Sequence, residues 1–362
     1  MRNIKLLCKL ILLRIFGPLA ERFVLPASYT VAVTYRCNSR CKTCNIYKKK
    51  CDEMEPADYA KIFKSIGNSA YWVTMSGGEP FLRDDLAEII DAIYQNSKPK
   101  IINIPTNGLL HEKIPQKVKK IAENCPQTDI VINLSIDAIG VKDSEIRGVP
   151  DAYSKAIKTY QALKNLDLPN LNLGIHTVIS KFNVDQFHYI ATKLMELEPD
   201  SYVTEIAENR VELDTMDSDI TPTVMNYAQA IDFLLFKIKQ KKFSGMNKIT
   251  QTFRVEYYKM VKKILRQERA QMRCYAGILS AQITPDGIVW PCCIKAVNVG
   301  DLKEHNYNFK KLWRKSPELR EERKKIQAEN CYCPMANASY TNMLMNDKIL
   351  FKAASRFFKK HD

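Results

Sequence analysis

The sequence predicts an α/β protein: a partial (β/α)6 TIM-like barrel followed by a small irregular cysteine-rich domain. Three observations carry this. Apolar, β-branched runs recur at Tyr29–Thr34, Tyr71–Ser76, Ile101–Thr106, Ile130–Ile136, Leu171–Ile179 and Tyr202–Ile206. Helical patterns separate most of them, which is how parallel strands with right-handed crossovers read. Chemically suggestive residues then sit just past the first four runs, on the rim where such barrels build their sites.

Each element follows from its own residues. The helical patterns are Asp58–Ile66, Leu86–Tyr94, Lys113–Glu123, Ala152–Leu166 and Val184–Glu196. Residues 222–270 read as helices rich in cations, with runs at Lys237–Lys242 and Lys262–Arg269. Glycine and proline punctuation returns over 272–336, where Asp286-Gly287 signals a hairpin. Asn342–Asp362 predicts a helix in which Lys348, Lys352, Arg356 and Lys360 recur every fourth residue beside Met345, Ile349 and Phe357. The expected organisation is therefore 1–27 a basic amphipathic helix, 28–215 the barrel, 216–271 connecting helices, 272–336 the cysteine-rich domain and 337–362 a second basic helix.

An apolar fraction of 46% in 362 residues supports a packed core and excludes wholesale disorder. The net charge of +15 calls for an anionic partner or surface. Lys9 and Arg14 interrupt the apolar run from Ile4 to Phe16, so no uncharged stretch is long enough to span a bilayer. Arg2, Lys5 and Lys9 share one helical face, with Leu6, Leu7, Leu10, Ile11 and Leu13 largely elsewhere. Two readings stay open for this segment, an interfacial helix on an anionic membrane or a helix packed on the barrel. A cytoplasmic protein, peripheral on the membrane's inner face, is the expected location.

Eleven cysteines fall into a group at 37–51 and another at 274–333, with Cys8 and Cys125 apart. In a long chain such grouping reads as metal sites in a reducing compartment, not as disulfides. Cys37-Asn-Ser-Arg-Cys41-Lys-Thr-Cys44 follows the first strand. Three thiolates leave one iron of a four-iron cluster without a protein ligand. Zinc is the competing reading; it takes four ligands when structural, and Cys51 is a conceivable fourth.

The C-x-x-x-C-x-x-C spacing resembles that of the radical S-adenosylmethionine (SAM) superfamily, and further segments resemble it too. Met75-Ser-Gly-Gly-Glu-Pro-Phe-Leu-Arg83 is similar to the family's GGE motif, which holds the SAM amino group. Pro105-Thr-Asn-Gly108, Leu134-Ser-Ile-Asp-Ala138 and Ile146-Arg-Gly148 resemble segments at and after the third and fourth strands. The resemblance implies Ser76, Gly77, Gly78, Glu79, Thr106, Asn107, Ser135, Asp137 and Arg147 as the SAM-binding set, with Cys37, Cys41 and Cys44 on a 4Fe-4S cluster. It implies reductive cleavage of SAM to methionine and a 5′-deoxyadenosyl radical, fed by a reductant such as flavodoxin or ferredoxin. Thr43 stands where many members carry an aromatic residue. His176 falls at the fifth-strand position, where the family lays backbone against adenine; as a side chain it reads as barrel interior.

Cys274, Gly287, Cys292 and Cys331-Tyr-Cys333 resemble the SPASM and twitch domains that follow such barrels. That implies Cys274, Cys292, Cys331 and Cys333 on one auxiliary 4Fe-4S cluster, with zinc as the minority alternative and Cys293 as a rival to its neighbour. No catalytic side chain is assigned. Glu205, Glu208 and Arg210 lie where a substrate would sit, or form plain salt bridges. The two basic ends favour a membrane lipid or lipid-linked glycan as substrate. A peptide is the first alternative, although residues 1–28 are too short for the winged peptide-binding domain common in peptide maturases. A small polar metabolite is the other. Nucleic acid is suggested by charge alone, without basic–aromatic stacking patterns; a non-enzymatic zinc or iron–sulfur protein acting on it is the remote alternative.

Overall fold

The computed structural model describes residues 2–241, 245–328 and 331–358. The chain opens with α1 (Arg2–Glu21), kinked at Gly17-Pro18. All six predicted strands form: β1 (Ser28–Thr34), β2 (Trp72–Gly77), β3 (Ile101–Thr106), β4 (Asp129–Ser135), β5 (Leu171–Ile179) and β6 (Ser201–Ile206). Between them lie α2 (Pro56–Ile66), α3 (Leu86–Ser97), α4 (Lys113–Asn124), α5 (Val141–Arg147), α6 (Ala152–Lys164) and α7 (Phe187–Met195). β3 and β5 have the expected limits, β1 and β6 begin one residue earlier, and β2 and β4 are shifted by one residue at both ends. Pro56 opens α2 at a position whose N–H has no helical partner anyway, and Asp58 accepts from the Glu55 N–H at 3.3 Å.

The sheet continues beyond the predicted barrel. α8 (Val224–Gln240) and α9 (Gly245–Gln267) lead to β7 (Ser280–Ile283), which pairs parallel to β1 with Ser28 opposite Ser280. β8 (Val289–Trp290) folds back antiparallel on β7 through the expected Asp286-Gly287 turn, Gly287 having φ 95°. The order is β6-β5-β4-β3-β2-β1-β7-β8, an open sheet of eight strands. β7 has only four residues and no distinctive alternation, so its place beside β1 is set by packing and not by local pattern.

The C-terminal segments α10 (Phe309–Lys315), α11 (Pro317–Ala328), α12 (Ala336–Met343) and α13 (Asp347–Phe358) close the molecule. Phe309 stacks on Trp313 at 5.1 Å and meets Tyr29 of β1 edge-on at 5.4 Å. Such ring pairs add about 1 kcal/mol each beyond burial, and they tie the C-terminal part to the barrel. The single helix expected over 342–362 is two: Asn346 caps α13 by accepting from Ile349 N at 3.2 Å. Lys360 lies outside the described residues.

α1 crosses beneath the sheet, at the N-terminal ends of the strands. Arg2 donates to the carbonyls of Pro99 and Gln127, ahead of β3 and β4. Lys9 donates to those of Pro26 and Ser69, ahead of β1 and β2. Leu10, Leu13 and Ala20 pack on Ile278 and Leu279, ahead of β7. The helix is thus seated on the barrel, while Ile4, Leu7, Ile11, Ile15 and Leu19 face outward.

Candidate active site

A cavity of ≈ 230 Å³ opens at the C-terminal ends of the strands. Cys37, Cys41, Cys44, Ser76, Gly77, Gly78, Glu79, Thr106, Asn107, Ser135, Asp137 and Arg147 all line it, so the structure brings the whole first set of expected residues together. His176, Glu205, Glu208 and Arg210 line it as well.

The strand-end loops are packed too tightly for most side chains. The ladder between β1 and β2 is irregular between Ala32 and Thr34, and Gly77 pairs with Thr34. Gly78 N then donates to Thr34 O at 2.7 Å, and Glu79 N to Arg36 O at 2.9 Å. A Cβ on Gly78 would stand 2.1 Å from Arg36 O. Gly77, at φ 119°, leaves no more room. These two glycines let the second strand's end approach the loop that carries the cysteines.

Glu79 is 1% exposed. Its carboxylate accepts from Thr106 Oγ1 at 2.8 Å, Asn107 N at 2.7 Å and Phe81 N at 3.2 Å. Burial pushes its pKa up to about 7, against the pull of those donors. Asn107 donates in turn to Asn38 Oδ1 and Ser39 Oγ. The second, third and first strand ends are therefore locked by one polar chain, and Asn38 and Ser39 were not singled out in the sequence.

Arg147 ends α5 almost fully buried, with Nη2 2.9 Å from Asp137 Oδ2 and Nη1 4.0 Å from Cys41 Sγ. Its Nε and Nη2 lack a well-directed hydrogen bond. Asp137 also accepts from Val178 N at 2.8 Å, which fixes β4 to β5. Asp143, likewise not singled out, accepts from the N–H groups of Asp137 and Ala138. The cysteine loop is pinned to this unit by Arg40 N to Arg147 O and Lys42 N to Ile146 O, both 2.9 Å. Ser135 lies on the cavity wall, and Thr43 lines it without a ring.

Across the cavity His176 Nε2 is 3.9 Å from Glu205, and Arg210 is 3.5 Å from both Glu205 and Glu208. Glu208 Oε1, Arg210 Nε and His176 Nε2 are buried without hydrogen-bond partners. Burial pushes Glu208 up to about 7 although Arg210 draws it down. These half-buried groups pair with one another on the cavity wall.

The second cysteine group also converges. Cys274, Cys292, Cys293, Cys331 and Cys333 line one small space of ≈ 40 Å³ beside β7. Backbone N–H groups attend Cys37 (from Ser39), Cys44 (Ile46), Cys274 (Ala276), Cys292 (Ile294 and Lys295) and Cys333 (Met335). N–H donation to sulfur is what thiolates of iron–sulfur clusters need to carry their charge. Cys293 differs: it is wholly buried, with its thiol 3.2 Å from Met335 Sδ. Cys125 sits in the core with no such donor. Burial pushes Cys37 and Cys292 up to about 11 and Cys44 up to about 12, so a metal must displace their protons. Among the described residues no three such side chains are gathered as a single ion requires. The donor chemistry fits cluster-sized groups at both places.

Comparison with known proteins agrees with this geometry. A family model for the radical SAM superfamily matches residues 31–194, and one for the SPASM iron–sulfur cluster-binding domain matches 274–334. A probable GTP 3′,8-cyclase of Methanococcus maripaludis is 24% identical over 284 residues, 76% of this chain and 87% of that protein. The antilisterial bacteriocin subtilosin biosynthesis protein AlbA of Bacillus subtilis is 24% identical over 305 residues, 80% of this chain but 60% of AlbA. Among solved structures, Streptococcus suis SuiB bound to S-adenosylmethionine superposes with a TM-score of 0.62 at 16% identity, covering 83% of this chain and 68% of SuiB. anSMEcpe with bound AdoMet and a peptide gives 0.59 at 14% identity, covering 92% and 96%. Residues 31–194 are a radical SAM domain and residues 274–334 a SPASM iron–sulfur domain, in an enzyme that binds a 4Fe-4S cluster with SAM on an open partial barrel.

Proposed function

We propose that this enzyme uses Cys37, Cys41 and Cys44 to hold its SAM-binding cluster and abstracts hydrogen from a peptide. The observation that carries the reading is the single cavity walled on one side by those thiols and on the other by His176, Glu205, Glu208 and Arg210. When bound together, cluster and SAM supply a 5′-deoxyadenosyl radical. The chain's own residues do the rest. Glu79 offers a buried acceptor for the SAM ammonium, held in place by Thr106 and Asn107. Arg147, steadied by Asp137 and Asp143, offers a buried cation for a carboxylate. Ser76, Ser135 and the backbone at Gly77 and Gly78 complete the SAM-facing wall.

Glu208 and Arg210 present an acceptor and a donor side by side, which matches the alternating polarity of a peptide backbone. Cys274, Cys292, Cys331 and Cys333 are assigned to one auxiliary cluster behind that wall; Cys293, buried against Met335, is assigned to packing. A flavodoxin or ferredoxin would supply the electron.

A peptide is favoured over the lipid expected first, because AlbA takes part in making a bacteriocin. The lipid expectation has no counterpart among the relatives named above. The test is 5′-deoxyadenosine release by reconstituted enzyme with dithionite, offered a peptide pool, GTP or a lipid extract in separate arms. Release stimulated by the peptides, with a matching mass change in one of them, supports the reading. Stimulation confined to GTP or lipid would refute it.

A further inference from the structure

We infer that α1 is a docking element for an anionic phospholipid bilayer. The inference goes beyond the proposed chemistry and does not depend on it. Two observations carry it, one apolar and one electrostatic.

The apolar one is the outward face of α1. Ile4, Leu7, Ile11 and Ile15 follow each other at three- and four-residue steps ahead of the Gly17 kink, so they form one row along the helix. With their large apolar neighbours they are 41–67% exposed. The inward face is already used: Leu10, Leu13 and Ala20 pack on Ile278 and Leu279, and Lys9 is tied to Pro26 and Ser69. Core packing therefore gives no reason for the outer row. Single exposed leucines are ordinary, but a contiguous row marks a contact surface.

The electrostatic observation says what covers that row. On the opposite, protein-facing side of α1, between it and the strand starts, lies a groove of ≈ 730 Å³ with Arg2, Lys5, Lys9, Lys98 and Lys100 on its walls and no acidic residue among them. Lys100 is paired with Asp129 at 2.7 Å. Arg2 and Lys9 are held by backbone carbonyls, and no acid pairs with them. Burial draws Lys9 down to about 7, and a phosphate in the groove would restore its charge. An apolar outer face backed by cations on the other side of the same helix is the polarity of an interfacial helix, with acyl chains under the row and anionic headgroups at the level of the groove. The whole-chain charge of +15 has the sign that steers it to such a surface. Among the described residues no helix is long and apolar enough to cross a membrane, so α1 would lie in the interface.

Placement has a consequence for the reaction. α1 covers the N-terminal ends of the strands, whereas the cavity opens at their C-terminal ends. A bilayer under α1 leaves the cavity facing water, away from the lipid. The enzyme would be tethered while its substrate arrives from solution.

The test is flotation of the reconstituted full chain with phosphatidylcholine vesicles, with and without phosphatidylglycerol. Two variants are compared: Leu7→Glu/Ile11→Glu/Ile15→Glu on the row, and Lys5→Glu/Lys98→Glu in the groove. SAM cleavage is measured on each to show that it is folded. The wild type should float with anionic vesicles at least about tenfold better than with neutral ones. The row variant should lose binding to both, and the groove variant should lose the preference for anionic vesicles, with SAM cleavage unchanged in each. Failure of wild type to float, or flotation of an active row variant like wild type, would overturn the proposal. So would self-association of wild type that the row variant abolishes without any vesicle binding, because a second copy would then be the occupant.

Discussion

The two cysteine sites are built in opposite ways. The first comes from one loop of eight residues, carried by the end of β1 and pinned to α5 by two backbone hydrogen bonds. The second gathers thiols from 274, 292, 331 and 333, on segments far apart in sequence that meet beside β7, the strand paired with β1. Loop closure over long separations costs entropy that a short loop does not incur. The first site therefore depends on local geometry and the second on completion of the whole fold. That difference teaches which residues can be changed without touching the other site.

The largest expected effect breaks the first site alone. Alanine at Cys41 should reduce 5′-deoxyadenosine release to background, while iron bound at the second site remains, as counted by iron and sulfide analysis. Almost as large is Gly78→Ala. Its Cβ would stand 2.1 Å from Arg36 O, so the strand end must shift; a stability loss of about 2 kcal/mol or more in thermal unfolding is expected, with SAM binding weakened.

The comparison is sharpened at the second site by neighbouring thiols. Cys292→Ala should remove the iron of the auxiliary cluster while leaving that of the first site in place. Cys293→Ala should keep both complements and cost only about 1 kcal/mol for the small cavity left against Met335. Equal iron loss in the two variants would contradict the assignment.

A pH-dependent effect concerns the cavity wall that carries Glu208. Burial raises the Glu208 carboxyl from the ordinary range to about 7. The folded protein thus holds its proton more tightly than the unfolded chain does between those values. Stability should fall as pH rises from about 4.5 through 7, by at most about 3 kcal/mol from this group. Glu208→Gln should flatten that part of the profile measured by chemical unfolding of the reconstituted protein.

The same contrast explains what could be read from the sequence. The cysteine loop, Gly77-Gly78-Glu79, Thr106-Asn107 and Asp137 each occupy a strand end, so periodicity and spacing sufficed to bring them together. Arg147 was legible only through the resemblance of Ile146-Arg-Gly148 to the family's segment after the fourth strand. β7 was not legible, since Ser280–Ile283 offers four residues whose pairing depends on Ser28 and its neighbours across the core. Spacing could not separate Cys292 from Cys293 either, because the two are adjacent and both line the same space. The break between α12 and α13 was masked by a basic period that runs through it, although Asn346 is a good cap in hindsight. For α1, the reading as a helix packed on the barrel is the one the contacts bear out, through Leu10, Leu13 and Ala20 against Ile278 and Leu279.

The central claim is that Cys37, Cys41 and Cys44 hold a cluster that cleaves SAM, and one measurement tests it most directly. Anaerobically reconstituted protein is given SAM and dithionite, and 5′-deoxyadenosine is followed by chromatography for wild type and Glu79→Ala. The account predicts steady release by wild type and, from loss of a buried acceptor, a drop of roughly thirtyfold or more in the variant. No release from fully iron-loaded wild type would contradict the account, and so would release that Glu79→Ala leaves unchanged.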